Sequence, residues 1–398
     1  MGKVDPKVDE AIETLNMKDG PTRRRLIAGT GLFSATAAAS ALLTAACSST
    51  SSSGKTGGNN NTSSSAVGDF PKTPAWQFWY VNHVTTNLFF VPTRLGYTDA
   101  AALLGLPTPK WGGSETASVP QMTSFISAAI SGKADGIATC VVTADSFTTP
   151  VKSAMDAGIP VISYNADGIY KSDGTPVIGT NRLCYVGQAL YLSGQQLGER
   201  IVSLVDSGDV VIFIATPGAG NIQPRYDGAV AAIKASGKPI KVHLQATGAT
   251  TAPELAAEKA FFTGNKDIKG AFAVDAGSTE LLAQAIQETG LQGKIPSGGF
   301  DLTPNTLTAI QAGHLDFTID QEPYLQGFLP TLYLYLYNLS GGLVRPPDTD
   351  TGLTFVDKSS VGPYLNSKTS YEGTTGVTKP TLVSRSGPIQ NPTATTST

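Results

Sequence analysis

Residues 134–143 read Ala134-Asp135-Gly136-Ile137-Ala138-Thr139-Cys140-Val141-Val142-Thr143, and residues 159–166 read Ile159-Pro160-Val161-Ile162-Ser163-Tyr164-Asn165-Ala166. Between them, 148–158 has helical character and stops on Gly158. Short apolar runs rich in Ile and Val predict buried strands, and the mixed stretch between them predicts the connecting helix. Strands joined through a helix are parallel neighbours, because a tight turn can only reverse the chain. Gly158 suits the left-handed residue that ends a helix, where a Cβ is costly.

The same alternation extends in both directions. Strand-like runs occupy 76–84, 136–143, 159–164, 210–215, 240–246, 270–274 and 295–300, and helix-like stretches fill 89–105, 119–132, 148–158, 189–207, 222–237, 253–264 and 278–290. Gly132, Gly237, Gly264 and Gly290 close further helices as Gly158 does. Regular alternation of this kind predicts an α/β fold with helices on both faces of parallel sheets. The number of runs exceeds one comfortable sheet. A loop over 166–176, followed by a short run at 184–187, is where the chain is expected to cross into a second lobe, giving two doubly wound lobes.

In such sheets ligands gather outside the carboxyl ends of the strands. Asn87, Asn165, Arg225, Asp275, Asp301 and Gln321 all follow strand-like runs, and Phe89 and Phe90 lie beside the first of them. A polyhydroxyl ligand suits this set. Each hydroxyl both donates and accepts; Asp accepts, Arg donates through a fork, and Asn or Gln can do either. Aromatic faces can cover the C–H side of a sugar. Taken singly, each residue has a plainer role as a helix cap, turn former or core ring, and it is the shared strand-end position that joins them into a site. Tyr164, Gln188 and His83 are secondary candidates.

Composition narrows the function classes. The chain has 398 residues and a formal net charge of −3, with no Lys/Arg cluster beyond residue 25, so nucleic acid has no electrostatic footprint. Three cysteines and three histidines show no metal-ligand spacing, and no cofactor is expected. Cys140 and Cys184 fall in apolar runs, as buried thiols or as a disulfide with each other. An exported hydrolase would need a nucleophile elbow or a paired histidine, and neither is visible. Gly218-Ala219-Gly220 lacks the later Gly and Lys of a phosphate loop.

The ends differ from the middle. Thr22-Arg23-Arg24-Arg25-Leu26-Ile27 opens an apolar, small-residue stretch that stops at Leu43-Thr44-Ala45-Ala46-Cys47. It resembles a twin-arginine export signal ending in a lipobox, with Ala28 where such signals often carry Lys and Thr44 where lipoboxes usually carry Leu. Cys47 is then the lipidation site, 1–46 the signal segment and 47–74, rich in Ser, Thr, Gly and Asn, a flexible linker. Residues 361–398 are expected to form a loose tail.

Over about 285 residues, from 75 to 360, the chain resembles the ribose-type periplasmic sugar-binding proteins of ABC importers, whose fold is called periplasmic binding protein type I. The motifs that carry this are Val84-Thr85-Thr86-Asn87-Leu88-Phe89-Phe90, Ala134-Asp135-Gly136-Ile137 with Ala157-Gly158-Ile159-Pro160-Val161, Arg225-Tyr226-Asp227-Gly228, Ala273-Val274-Asp275-Ala276, Gly299-Phe300-Asp301 and Ile319-Asp320-Gln321. The resemblance implies sugar contacts at Asn87, Phe89, Phe90, Asn165, Arg225, Asp275, Asp301 and Gln321. It implies a three-segment hinge near 182–187, 319–323 and 344–352, with lobe 1 at 75–184 plus 322–346 and lobe 2 at 185–321 plus 347–360. Many relatives carry an Asp-Arg pair where this chain has Asn165-Ala166, and an Asn where it has Asp275. Ribose is therefore not the expected ligand, but a sugar of other stereochemistry or a shorter polyol. The implied protein is a monomeric, extracytoplasmic, lipid-anchored binding protein, not an enzyme, serving an ABC permease and its ATPase or else a sensing receptor.

Overall fold

The computed structural model of the chain describes residues 71–366, Ser172 excepted. The first half runs β1 (Phe78–Asn82), a 3-10 turn (Leu88–Phe90), α1 (Val91–Leu104), β2 (Lys110–Gly113), α2 (Val119–Ser131), β3 (Gly136–Val141), α3 (Ala144–Asp156), β4 (Val161–Asp167), β5 (Ile169–Tyr170), β6 (Pro176–Val177) and β7 (Tyr185–Gly187). The second runs α4 (Leu190–Leu204), β8 (Gly208–Ile214), α5 (Gln223–Ala235), β9 (Ile240–Ala246), α6 (Thr251–Gly264), β10 (Gly270–Ala273), α7 (Ala276–Glu288), β11 (Ser297–Phe300), α8 (Pro304–Ala312) and β12 (Phe317–Asp320). The chain then returns through α9 (Leu325–Leu339), β13 (Thr349–Asp350), β14 (Thr354–Asp357) and α10 (Gly362–Asn366).

Two six-stranded sheets result. The first has the order β13-β7-β4-β3-β1-β2 and is parallel throughout; the second has the order β14-β12-β11-β10-β8-β9, with only β14 antiparallel. Each sheet is covered on both faces, which is why its strands read as continuous apolar runs. Met122, Ile126, Phe147 and Val151 from α2 and α3 cover one face of the first sheet. Ala101 and Leu334 from α1 and α9 pack with Phe78 and Ile162 on the other. In the second sheet, Leu197, Ile201 and Ile233 of α4 and α5 take one face, and Phe262, Leu282, Ile286 and Leu307 of α6 to α8 take the other. Fully burying an aliphatic or phenyl side chain of this kind contributes about 1.5–3 kcal/mol. Cys140 and Cys184 are buried free thiols, each pushed up to about 12 by burial.

The pairings move two expected boundaries. The sequence puts the crossing in 184–187 and the start of the second lobe at 185; β7 pairs with β4 in the first sheet, so the chain leaves that lobe only after Gly187. The sequence assigns residues 347–360 to the second lobe, yet β13 pairs with β7 and only β14 joins the second sheet. Each lobe thus takes one of two adjacent strands. The tail expected from 361 opens instead with α10, whose Tyr364 and Leu365 pack on the second core. The expected signal segment, Cys47, most of the linker and residues 367–398 lie outside the described residues. Among the described residues no helix is long and apolar enough to cross a membrane.

Candidate ligand-binding site

The first lobe sends two strand ends into the cleft. After β1, the Asn87 Oδ1 accepts from the Phe89 N–H at 2.9 Å and starts the 3-10 turn, and Pro92 then sits in the first turn of α1. This local order sets Phe89 and Phe90 edge to face, centroids 4.7 Å apart, with Phe90 meeting the His83 ring edge-on at 5.3 Å. Near the end of β4, Asn165 takes the left-handed backbone at φ 63°, a conformation that Asn tolerates better than most residues. Its carbonyl accepts from the Tyr185 hydroxyl at 3.1 Å, and its Nδ2 donates to Gln326 Oε1 at 3.1 Å. Asp167, two residues on, is tied to Arg182. That carboxylate is therefore committed to the frame behind the cleft.

The second lobe supplies the charges. Arg225, in the first turn of α5, is 2% exposed. Its Nε donates to Gln188 Oε1 at 3.1 Å, Nη1 donates to the Val274 carbonyl at 3.0 Å, and the guanidinium carbon stands 4.3 Å from the Phe300 ring centroid. α4 and α5 approach backbone to backbone to hold it there: a Cβ on Gly194 would lie 2.1 Å from the Arg225 carbonyl oxygen. Burial pulls the guanidinium pKa down while Asp301 and Asp275 hold it up. Asp275 caps α7, with Oδ1 accepting from Ser278 N and Oδ2 from Ala215 N and the Ser278 hydroxyl. Three of a carboxylate's roughly four acceptor positions are thereby occupied, so the plainer role of helix cap is real and leaves little over.

Asp301 also has a left-handed backbone, φ 80°, and its Oδ1 accepts from Gln321 Nε2 at 2.6 Å. Burial pushes its carboxyl up to about 6 against the pull of Arg225. Gln321 in turn accepts from Gln326 Nε2 at 3.1 Å through its Oε1. Asn165, Gln326, Gln321 and Asp301 thus form one hydrogen-bonded row across the hinge, and Thr351 from the third crossing donates to the Gln321 carbonyl at 2.8 Å.

All eight principal residues, Asn87, Phe89, Phe90, Asn165, Arg225, Asp275, Asp301 and Gln321, line one cavity of about 50 Å³ between the lobes. His83 lines it as well; Tyr164 and Gln188 do not. The Tyr164 ring packs 5.4 Å from Tyr80, and its hydroxyl accepts from Asn82 Nδ2 at 2.9 Å, which makes it core. Gln188 stands behind Arg225 and ties it to the third crossing by donating to the Gly352 carbonyl at 3.3 Å. Two residues of this arrangement were not foreseen. Asn221 lines the cavity and places its Nδ2 3.3 Å from His83 Nε2 across the cleft. It follows the glycine-rich stretch after β8, so the strand-end rule could have found it. Gln326 lies within a helix, where no sequence signal marks it. Beside Asn221, Gly220 donates to the Val142 carbonyl at 3.0 Å, and a Cβ there would lie 2.0 Å from the Gly168 oxygen. Only glycine lets the lobes meet so closely.

A larger cavity of about 370 Å³ adjoins the first and shares His83, Asn87, Asn221, Ile222, Asp275 and Ala276 with it. No group of three or more metal-ligating side chains occurs among the described residues. The cleft offers paired donors and acceptors around ring faces, an arrangement for holding a neutral polar molecule.

The sequence model of the family described as "Periplasmic binding protein domain" matches residues 78–339. The Xylose/arabinose-binding protein XylF of Sulfolobus acidocaldarius is 45% identical over 330 residues, 80% of each chain. A solute-binding protein of Burkholderia graminis, solved in complex with D-arabinose, has the same fold with a TM-score of 0.66 at 24% identity, covering 74% of this chain and 99% of its own. A carbohydrate transporter protein of Acidothermus cellulolyticus, solved with myo-inositol, gives a TM-score of 0.62 at 25% identity, covering 73% and 97%. With two sheets, three crossings and a cleft at the strand ends, the chain belongs to the periplasmic binding protein family, in its type I form.

Proposed function

We propose that this protein captures an aldopentose of the xylose or arabinose kind between its lobes and delivers it to an ABC permease. It is a binding protein that works outside the cytoplasm, not an enzyme. The observation that carries the ligand class is the joint lining of one cleft by Arg225, Asp275, Asp301, Asn87, Asn165 and Gln321 with Phe89 and Phe90. Carboxylates accept from sugar hydroxyls, Arg225 donates to them, the amides do either, and the rings cover C–H faces. The three crossings act as the hinge, and a ligand that touches both lobes only when they are shut favours the shut form. The signal reading of 1–46 and a lipid on Cys47 belong to the same proposal. They put a monomer on a tether at the outer face of the cytoplasmic membrane, and intact mass of the membrane fraction tests the lipid.

Thermal shift and calorimetry over a panel of pentoses, hexoses and polyols test the ligand, since a molecule that binds only the native state raises its melting temperature. Xylose or arabinose should give the largest shift, with a smaller radius of gyration at saturation. A panel in which no aldopentose binds would overturn the reading.

A further inference from the structure

The contacts described so far leave the larger cleft cavity without a role. The inner one measures about 50 Å³ and the outer one about 370 Å³. They are continuous through the six residues they share. Val84, Val119, Ala215 and Pro217 give the outer wall an apolar face. Two of its polar atoms are unspent. His83 Nδ1 and Thr143 Oγ1 are buried and have no hydrogen-bond partner among the described residues, although both side chains line this cavity. Buried polar atoms are ordinarily paired, so two orphans on one wall mark where an incoming ligand's hydroxyls would bond. If Asn221 donates to Nε2, the imidazole proton sits on Nδ1, and burial holds the ring neutral by pushing it down to about 4.

Glu254 stands on the second-lobe side. Its carboxyl lies against Gly277, where a Cβ would be 2.8 Å from either oxygen, and its Oε1 stands 3.4 Å from the Ser278 hydroxyl oxygen. Burial pushes this carboxyl up to about 8, so at neutral pH it retains a proton and is a hydrogen-bond donor. An apolar face between a neutral acid, a hydroxyl and an imidazole N–H fits a second sugar ring better than an ion.

We propose that the outer cavity is a second sugar subsite, so that the protein takes a disaccharide with one ring in the inner site and the other between Thr143, His83 and Glu254. This rests on the sugar-binding reading above and extends it from one ring to two. Calorimetry with xylose, arabinose, xylobiose and arabinobiose tests it on the purified protein and on two variants. Ala249→Trp plugs the outer cavity from an exposed loop position, and Thr143→Val removes a hydroxyl that has no partner among the described residues. At least one disaccharide should bind. Ala249→Trp should weaken it by about tenfold or more, and Thr143→Val by about fivefold at an unchanged melting temperature, while the matching monosaccharide moves by less than about twofold. Monosaccharide binding without disaccharide binding overturns the subsite and leaves the sugar reading standing, as does a plug that weakens both equally. Binding of none of the four sugars removes both.

Discussion

Each lobe brings two helices together backbone to backbone beside the cleft. In the first, a Cβ on Gly96 of α1 would lie 2.1 Å from the Tyr324 carbonyl oxygen, and one on Gly327 of α9 would lie 1.9 Å from that of Thr93. In the second, Gly194 of α4 and Gly228 of α5 stand equally close to the Arg225 and Tyr191 carbonyls. What the two frames present to the ligand differs. The first lobe offers two phenyl rings and two amides, and the second offers Arg225, Asp275 and Asp301, already hydrogen-bonded to their own surroundings. Charge that is fixed before the ligand arrives costs no reorganisation when it binds. In the binding proposed above, the second lobe would set orientation and the first would exclude water on closing.

Removing the central charge should break this division most severely. Truncating one member of a buried, hydrogen-bonded charge group costs about 2–5 kcal/mol, so Arg225→Ala should weaken xylose or arabinose binding by roughly 30-fold to several thousandfold. Calorimetry reads it directly. A loss below about fivefold would put the orienting charge elsewhere.

Asp301 gives a smaller effect with a sign that separates folding from binding. Its carboxyl titrates near 6 when folded, above the ~3.9 of a free Asp. The folded state holds that proton more tightly. The resulting contribution to the stability of the free protein is fully present below about pH 3.9 and lost as pH rises through about 6. Affinity should run the other way: a ligand hydroxyl donates to the carboxylate, so binding weakens as pH falls through the same range. Asp301→Asn should flatten both profiles and weaken binding by about 1.5–3 kcal/mol, roughly 10- to 150-fold. Melting temperatures and dissociation constants with the same pH sign would refute the assignment.

The smallest change belongs to the first lobe. Phe90→Leu keeps apolar volume but loses the ring face, which is worth about 0.5–1.5 kcal/mol, so affinity should fall by about two- to twelvefold. Phe90 also packs in the first core, so the melting temperature should drop with it. An affinity loss equal to that of Arg225→Ala would mean that the lobes share orientation evenly.

Much of this could be read from particular residues. Gly158 and Gly237 end their helices with φ of 78° and 69°, and the runs ending near Asn165, Asp275 and Asp301 are strands that end at the cleft. The alternation read from the sequence stops at 300 and so leaves out α8 and α9, and the strands it passes over are held by partners distant in sequence. β2 is Lys110-Trp111-Gly112-Gly113, whose two glycines resemble a loop, and only pairing with β1 makes it a strand. β13 is two residues long and exists because β7 lies beside it. α3 begins at Ala144, four residues before the expected start, with Pro150 inside it. Gln326 belongs to the site only because the hinge brings α9 against Asn165.

The return of the chain to the first lobe also sets the order in which the protein can be completed. Helix α9, which covers Phe78 and Ile162, and strand β13 are synthesised after β8 to β12 of the second sheet, and the antiparallel edge strand of that sheet comes later still. The first sheet lacks its last strand until Asp350 is made and the second until Asp357, and contacts of such long sequence separation form slowly. A nascent chain of this threading has no finished half before that stretch is made, because each sheet takes its last edge strand from residues 349–357.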